Sequence, residues 1–267
     1  MDTVDLEALL PRVVALAEKA GAAVMEVYAS GDFETTYKKE DASPLTRADL
    51  ASHRLLAEGL RALTPVWPVL SEESKEVPYP KRQSWKRYWL IDPLDGTKEF
   101  IKRRDEFTIN VALIKRGEPA LGVVYAPAME ELYYAARGLG SFKRKGEEPP
   151  ERIVAGDYRT GGVTVVVSRS HAGARVEDLV RKINPAESLS IGSSLKLCLV
   201  AEGRAHLYPR LGPTMEWDIA AAQCVVEEAG GTVTDLSGRR LRYNKPSLEN
   251  PPFIVCGAPP FPWQEYL

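Results

Sequence analysis

Apolar residues recur at helical spacing from the start of the chain. Leu6, Leu9, Leu10, Val13, Val14, Ala17, Val24, Val27 and Tyr28 mark one face of an amphipathic helix that fills most of the first thirty residues. A polar stretch over residues 37–44 follows, and Thr46-Arg47-Ala48-Asp49 opens a second helix with Leu50, Leu55, Leu56, Leu60 and Leu63 as its apolar positions. The rhythm then changes to strands. Residues 66–71 predict a short strand running onto Glu72, and residues 88–91, aromatic and β-branched, predict a buried strand that stops at the turn containing Pro93. Residues 107–114 alternate, residues 116–119 turn, and residues 120–125, 132–135 and 141–145 continue as an antiparallel meander.

The polar, proline-bearing stretch 145–157 is the natural boundary, dividing the chain into halves 1–150 and 151–267. Beyond it strand and helix alternate as in an α/β layer: strand 163–167, helix 173–183, strand 188–191, helix 194–202 and strand 205–208. Trp217-Asp218 then begins a small-residue helix, 219–229, closed by Gly230-Gly231, with strands at 232–235 and 253–256.

Composition narrows the setting. With 267 residues, 44% hydrophobic and 27% charged, the chain can build one large core or two smaller ones. A formal net charge of -2 gives no basic field for nucleic acid or anionic membrane. Cys198, Cys224 and Cys256 stand singly in apolar runs, so buried thiols in a reducing compartment are expected. No run reaches the length of a membrane span, and Asp2, Asp5 and Glu7 stand where a leader would be basic; a soluble cytoplasmic protein is expected.

Chemistry concentrates in Asp92-Pro93-Leu94-Asp95-Gly96-Thr97. Two carboxylates on one rigid turn, with the Leu94 carbonyl between them, make a hard-oxygen site suited to Mg²⁺. If a helix starts next, the Gly96 and Thr97 N–H groups offer an anion site beside it. The same residues also describe a solvated turn. Thr46 and Asp49 have the spacing of a capping box. Asp218, at a helix start, is either a charge complementing the dipole or an acid completing the site from the second half. His53 reads as structural or exposed, and His206, in an apolar strand, as structural.

Three separated segments, Leu70-Ser71-Glu72-Glu73-Ser74, Asp92-Pro93-Leu94-Asp95-Gly96-Thr97 and Trp217-Asp218, resemble in order and spacing the Mg²⁺-dependent, lithium-sensitive phosphatases of the inositol-monophosphatase-like superfamily. The continuation Gly96-Thr97-Lys98-Glu99-Phe100-Ile101, with Val167-Ser168-Arg169-Ser170-His171, Ile191-Gly192-Ser193-Ser194-Leu195-Lys196 and Tyr208-Pro209-Arg210, is similar to the 3′(2′),5′-bisphosphate nucleotidases among them. The resemblance implies an α/β fold of layered αβαβα, sugar-phosphatase type. It also implies two or three Mg²⁺ ions on Glu72, Asp92, the Leu94 carbonyl, Asp95 and Asp218, with water activated by Asp49 and Thr97 on the metal that Glu72 holds. Substrate contacts would come from Gly96, Thr97, Ser168, Arg169, His171, Ser194, Lys196, Arg210 and Asp218. For Arg169 ordinary surface charge is the competing reading.

The activity implied is removal of the 3′-phosphate of 3′-phosphoadenosine 5′-phosphate to give AMP and phosphate. An inositol- or sugar-phosphate monoesterase sharing the metal site, or a non-catalytic nucleotide sensor, are the alternatives. The expected partner is a small phosphate ester and not nucleic acid or a membrane.

Overall fold

The structure is a computed structural model describing residues 4–37, 44–75, 77–169 and 173–267. In chain order the first half runs α1 (Leu6–Ser30), β1 (Thr36–Tyr37), β2 (Pro44–Leu45), α2 (Arg47–Leu63), β3 (Val69–Ser71), α3 (Tyr79–Arg82), β4 (Arg87–Asp95), α4 (Thr97–Ile101), β5 (Thr108–Lys115), β6 (Glu118–Ala126), β7 (Glu131–Ala136), β8 (Gly140–Lys145) and β9 (Glu151–Ile153). The second half runs β10 (Thr164–Ser168), α5 (Ala174–Ile183), β11 (Glu187–Ile191), α6 (Leu195–Ala201), β12 (Leu207–Arg210), α7 (Glu216–Glu228), β13 (Thr232–Asp235) and β14 (Phe253–Cys256).

Strands β3 to β9 form one sheet in sequence order, antiparallel except for the parallel pair β3 and β4. A second, mixed sheet has the order β11-β10-β12-β14-β13. In it β10 runs parallel to both its neighbours, β11 and β12. Helices α1 and α2 cover one face of the first sheet, α7 packs on its other face beside α6, and α6 in turn meets β10 and β12 of the second sheet. Three buried clusters fill the gaps between these layers. This is the layered αβαβα order.

Alternation along the central strands explains why both faces of the first sheet are dry. Trp89, Ile91, Val111 and Leu113 join the cluster under α1 and α2, whereas Leu90, Ala112 and Val124 join the one under α6 and α7. Asp92 and Asn110, opposite each other in the ladder, lie two residues beyond Leu90 and before Ala112. They therefore share the α7 face. Gly122 lets α7 settle directly on β6: a Cβ there would lie 2.2 Å from the Ala221 carbonyl oxygen.

Two sequence expectations change. The strand expected to end at residue 91 continues to Asp95. Between Asp92 and Asp95 it takes one residue more than β5 does between Asn110 and Thr108, which is a β-bulge. Pro93 is tolerated because β3 ends at Ser71, paired with Ile91, so β4 has no second neighbour beyond it. Within the polar boundary segment, β9 adds an edge strand to the first sheet, pairing Ile153 with Ser141. The central cluster also joins residues of both halves, from Leu90 to Val226.

Candidate active site

The bulge in β4 sets the site. A bulge rotates the side chains that follow it, so Asp92 and Asp95, three residues apart, both serve the same end of the sheet. Asp92 is buried, and one of its oxygens accepts the Leu94 N–H at 3.0 Å. Gly96, with φ at 93°, turns the chain into the short helix α4, which begins at Thr97. The Pro93 carbonyl accepts the buried Ser52 hydroxyl at 2.7 Å, tying the bulge to α2.

Helix α2 also delivers Asp49, whose two carboxylate oxygens serve different partners. Its Oδ2 accepts the Thr46 N–H at 2.7 Å and the Thr46 hydroxyl at 2.5 Å, completing the capping box. Its Oδ1 accepts the Thr97 hydroxyl at 3.2 Å. One carboxylate thus caps a helix with one oxygen and orients Thr97 with the other. The Thr97 hydroxyl also lies 3.2 Å from the Leu94 carbonyl.

Asp218 enters from the second half in the first turn of α7, its Oδ2 accepting the Met215 N–H at 2.8 Å. Residues 216–218 are held by a buried network: Glu216 accepts the N–H groups of Asn244 and Lys245 and the Lys245 ammonium, and Arg82 clamps the Asn244 side chain and the Lys245 carbonyl. Glu72 lies one residue beyond β3, its N–H donating to the Ile91 carbonyl.

Electrostatically these acids oppose one another. Burial, then Glu72, Asp95 and Asp218, hold Asp92 well above the usual carboxylate range. Burial, and after it Asp95, does the same to Asp218. Burial raises Asp95 to about 6 against the pull of Lys196 and the Ser194 N–H, and raises Asp49 to about 6 against its Thr46 hydrogen bonds. Among the described residues, no three such side chains already stand as a coordination group. Mutual repulsion between buried carboxylates with oxygen donors only nonetheless fits a hard divalent cation, which would relieve it.

A cleft of about 220 Å³ opens over these acids, lined by Glu72, Asp95, Thr97 and Asp218 on one side and Ser168, Ser193, Lys196 and Arg210 on the other. Lys196 is buried, donates to the Ser193 carbonyl at 2.5 Å, and is lowered to about 8 by burial despite Asp95. The Ser193 hydroxyl and Arg210 Nε are buried without a protein partner.

Two of the expected substrate contacts are engaged elsewhere. Arg169 does not line the cleft; its guanidinium grips Glu106 through two bonds of 2.8 and 2.7 Å and donates to the Ser190 carbonyl. Ser194 lines the cleft, but its hydroxyl turns inward to Asn110 at 2.7 Å and Thr108 at 2.8 Å while its N–H donates to Asp95 Oδ2 at 2.6 Å. His171 lies outside the described residues. His206 accepts the Thr164 N–H at 2.9 Å and His53 meets Ser71 at 2.8 Å, both structural roles. The three cysteines are free and buried.

Sequence reasoning missed Ser52, Glu106, Thr108, Asn110 and Glu216. Only Asn110 left a signal: an amide at an inward position of an otherwise apolar strand.

A layered αβαβα phosphatase fold with facing carboxylates at the bulge defines the class. The inositol monophosphatase family profile matches residues 5–258, and the chain belongs to that family, whose members are metal-dependent. More particularly, it is 48% identical over 248 residues to the 3′(2′),5′-bisphosphate nucleotidase CysQ of Salmonella typhimurium, covering 92% of this chain and 99% of that one. The Escherichia coli K12 protein of the same name is 49% identical over the same coverage. A crystal structure of CysQ from Bacteroides thetaiotaomicron superimposes with a TM-score of 0.83 at 40% identity, covering 96% of this chain and 99% of that one. An inositol monophosphatase from Anabaena superimposes at 0.73 with 26% identity, covering 95% and 92%.

Proposed function

We propose that the chain is a 3′(2′),5′-bisphosphate nucleotidase that hydrolyses the 3′-phosphate of 3′-phosphoadenosine 5′-phosphate to AMP and phosphate. The observation that carries this reading is the juxtaposition, in one cleft, of Glu72, Asp95 and Asp218 beside Thr97, all repelling the buried Asp92, with the cations Lys196 and Arg210. One end suits a phosphate bound through metal; the other suits a second phosphate.

Glu72, Asp92, the Leu94 carbonyl, Asp95 and Asp218 would hold two or three Mg²⁺ ions. When bound, such ions neutralise the phosphate, polarise its oxygens and lower the pKa of water. Asp49 Oδ1 keeps the Thr97 hydroxyl pointing its proton inward, so that a lone pair of Thr97 faces the cleft and accepts a hydrogen bond from water. Held this way, the water is aimed along the scissile bond. The bulge and Ser52 keep Asp92, Leu94 and Asp95 in fixed relation while charge shifts. Lys196, buried and cationic below about pH 8, supplies a fixed point charge for the 5′-phosphate.

No helix among the described residues is long and apolar enough to cross a membrane. The free, buried thiols support a reducing compartment, the cytoplasm.

Rates on 3′-phosphoadenosine 5′-phosphate and inositol 1-phosphate, measured with Mg²⁺ and with chelator, test the reading. Preference for the bisphosphate in kcat/KM and loss of activity in chelator are expected. Equal or better hydrolysis of inositol 1-phosphate leaves a monoesterase of the broader family, and binding without turnover leaves a sensor.

A further inference from the structure

The carboxylate of Glu106 does something the phosphatase chemistry does not require. It sits in the loop between α4 and β5, in the first half, yet its hydrogen bonds go to the second: Arg169 donates to both oxygens, and the Gly192 N–H donates to Oε2 at 2.8 Å. Arg169 follows the last residue of β10, Gly192 the last residue of β11, and these are parallel neighbours. Ligands in mixed α/β sheets bind at the carboxyl ends of such strands. Here those ends carry Ser168, Ser193, Ser194 and Lys196 of the cleft wall.

A second observation shows that this junction is tightly set. At Gly192 a Cβ would lie 2.8 Å from the Glu106 carbonyl oxygen and 3.0 Å from Glu99 Cγ, so the two loops touch backbone to backbone. Ser193 then takes a left-handed φ of 48°, and its carbonyl accepts Lys196. The side chains of Arg169 and Glu106 remain 38% and 20% exposed, so the ion pair contributes little to global stability. Its contribution is positional.

We infer that Glu106 and Arg169 form a latch that fixes the substrate-selecting wall of the cleft against the hydrolytic wall, making Glu106 a positioning residue for specificity. Arg169 acts through Glu106 and makes no contact of its own with substrate. This rests on the phosphatase reading of the cleft and, for the identity of the favoured substrate, on the nucleotidase reading.

The test is a double-mutant cycle of Glu106→Ala, Arg169→Ala and the pair, assayed with the wild type's preferred substrate and with inositol 1-phosphate, alongside hydrogen exchange over residues 190–196. Each single variant should raise KM for the preferred substrate about tenfold with kcat held within about twofold. The double variant should be no worse than either single one, the non-additivity expected of residues acting as a unit. Exchange at Gly192 should quicken in Glu106→Ala while the melting temperature changes little. A direct substrate contact by Arg169 would instead raise KM in Arg169→Ala alone, or make the two effects add; either result overturns the latch, as does unchanged KM. Should the wild type prefer inositol 1-phosphate, the nucleotidase reading falls, and the latch is still judged by KM for that substrate.

Discussion

The two walls of the cleft are built differently. On the proposed reading, the centre of the hydrolytic wall is continuous in sequence: Asp92, Leu94, Asp95, Gly96 and Thr97 lie on one bulged strand and the start of one helix, braced by Ser52 and Asp49 from α2, with Glu72 and Asp218 joining from the end of β3 and from α7. The facing wall draws Ser168, Ser193, Lys196 and Arg210 from three strand ends and a helix. Its cohesion depends on contacts between distant residues, such as Ser194 with Asp95 and Glu106 with Gly192. On the proposed reading, chemistry that must be held to a fraction of an ångström sits on a stiff local unit, and selection among substrates sits on an assembled surface.

Breaking the first wall should cost most. Asp95→Asn keeps the side-chain shape but removes a charge opposed to Asp92 and Asp218; activity should fall by more than about a hundredfold, beyond the loss typical of an outer-shell partner of a metal, with the fold retained by circular dichroism. Removing divalent ions from the native chain should have the same result, reversed by Mg²⁺. Next in size, Thr97→Ala should lower kcat roughly a hundred- to ten-thousand-fold with KM little changed. Loss of stability with normal turnover per folded molecule would make Thr97 structural.

The second wall should respond selectively. Lys196→Ala should cut kcat/KM for the bisphosphate about tenfold or more, the loss of one charge-assisted contact, and leave inositol 1-phosphate nearly unaffected. If both substrates weaken alike, the division between walls is wrong.

The pH dependence sharpens the comparison. Asp49, raised to about 6, must be ionised to orient Thr97, so kcat should fall below about pH 6. Lys196, lowered to about 8, loses its charge above that pH, so KM for the bisphosphate should rise there while kcat holds. Stability runs the other way on the acid side. Because the folded pKa values of Asp49 and Asp95 lie above the ordinary aspartate value, the folded state binds protons more tightly than the unfolded one. The chelated protein should therefore lose melting temperature as pH rises from about 4 through 6, and Mg²⁺ should recover it. A melting temperature that rises over that window in chelator would contradict the burial of these acids.

The smallest effect expected is that of Ser52→Ala. Leaving the buried Pro93 carbonyl unpaired typically costs about 1–3 kcal/mol, seen as a lower denaturant midpoint, with a modest loss of kcat as the bulge loosens.

Sequence legibility follows the same division. The helices, the meander and the later strand and helix alternation follow from periodicity, since both faces of the first sheet and one face of each of α1 and α2 are buried. Asp92 and Asp95 of the first wall lie three residues apart, so their chemistry is readable before their geometry. The bulge is not: Asp-Pro-x-Asp-Gly has the composition of a turn, and only the missing strand neighbour beyond Ser71 lets β4 carry a proline onward. β9 was hidden because an exposed edge strand needs no apolar pattern. Arg169 and Ser194 invite a substrate-contact reading because the partners of their side chains, Glu106, Thr108 and Asn110, stand 63 to 86 residues away. A basic or hydroxyl side chain at a strand end carries no mark of which way it is already engaged.

The seat of α7 on the first sheet has a consequence for inhibitors. With no side chain at Gly122, the helix that carries Asp218 rests on β6 itself, inside a core shared by both halves. A hinge between the walls would have to tear that core, so the cleft is preorganised, and a ligand loses little binding energy to ordering its receptor. Rigid bisphosphate mimics that span the acids and Lys196 should gain affinity from their own stiffness, with slow dissociation as the source of potency.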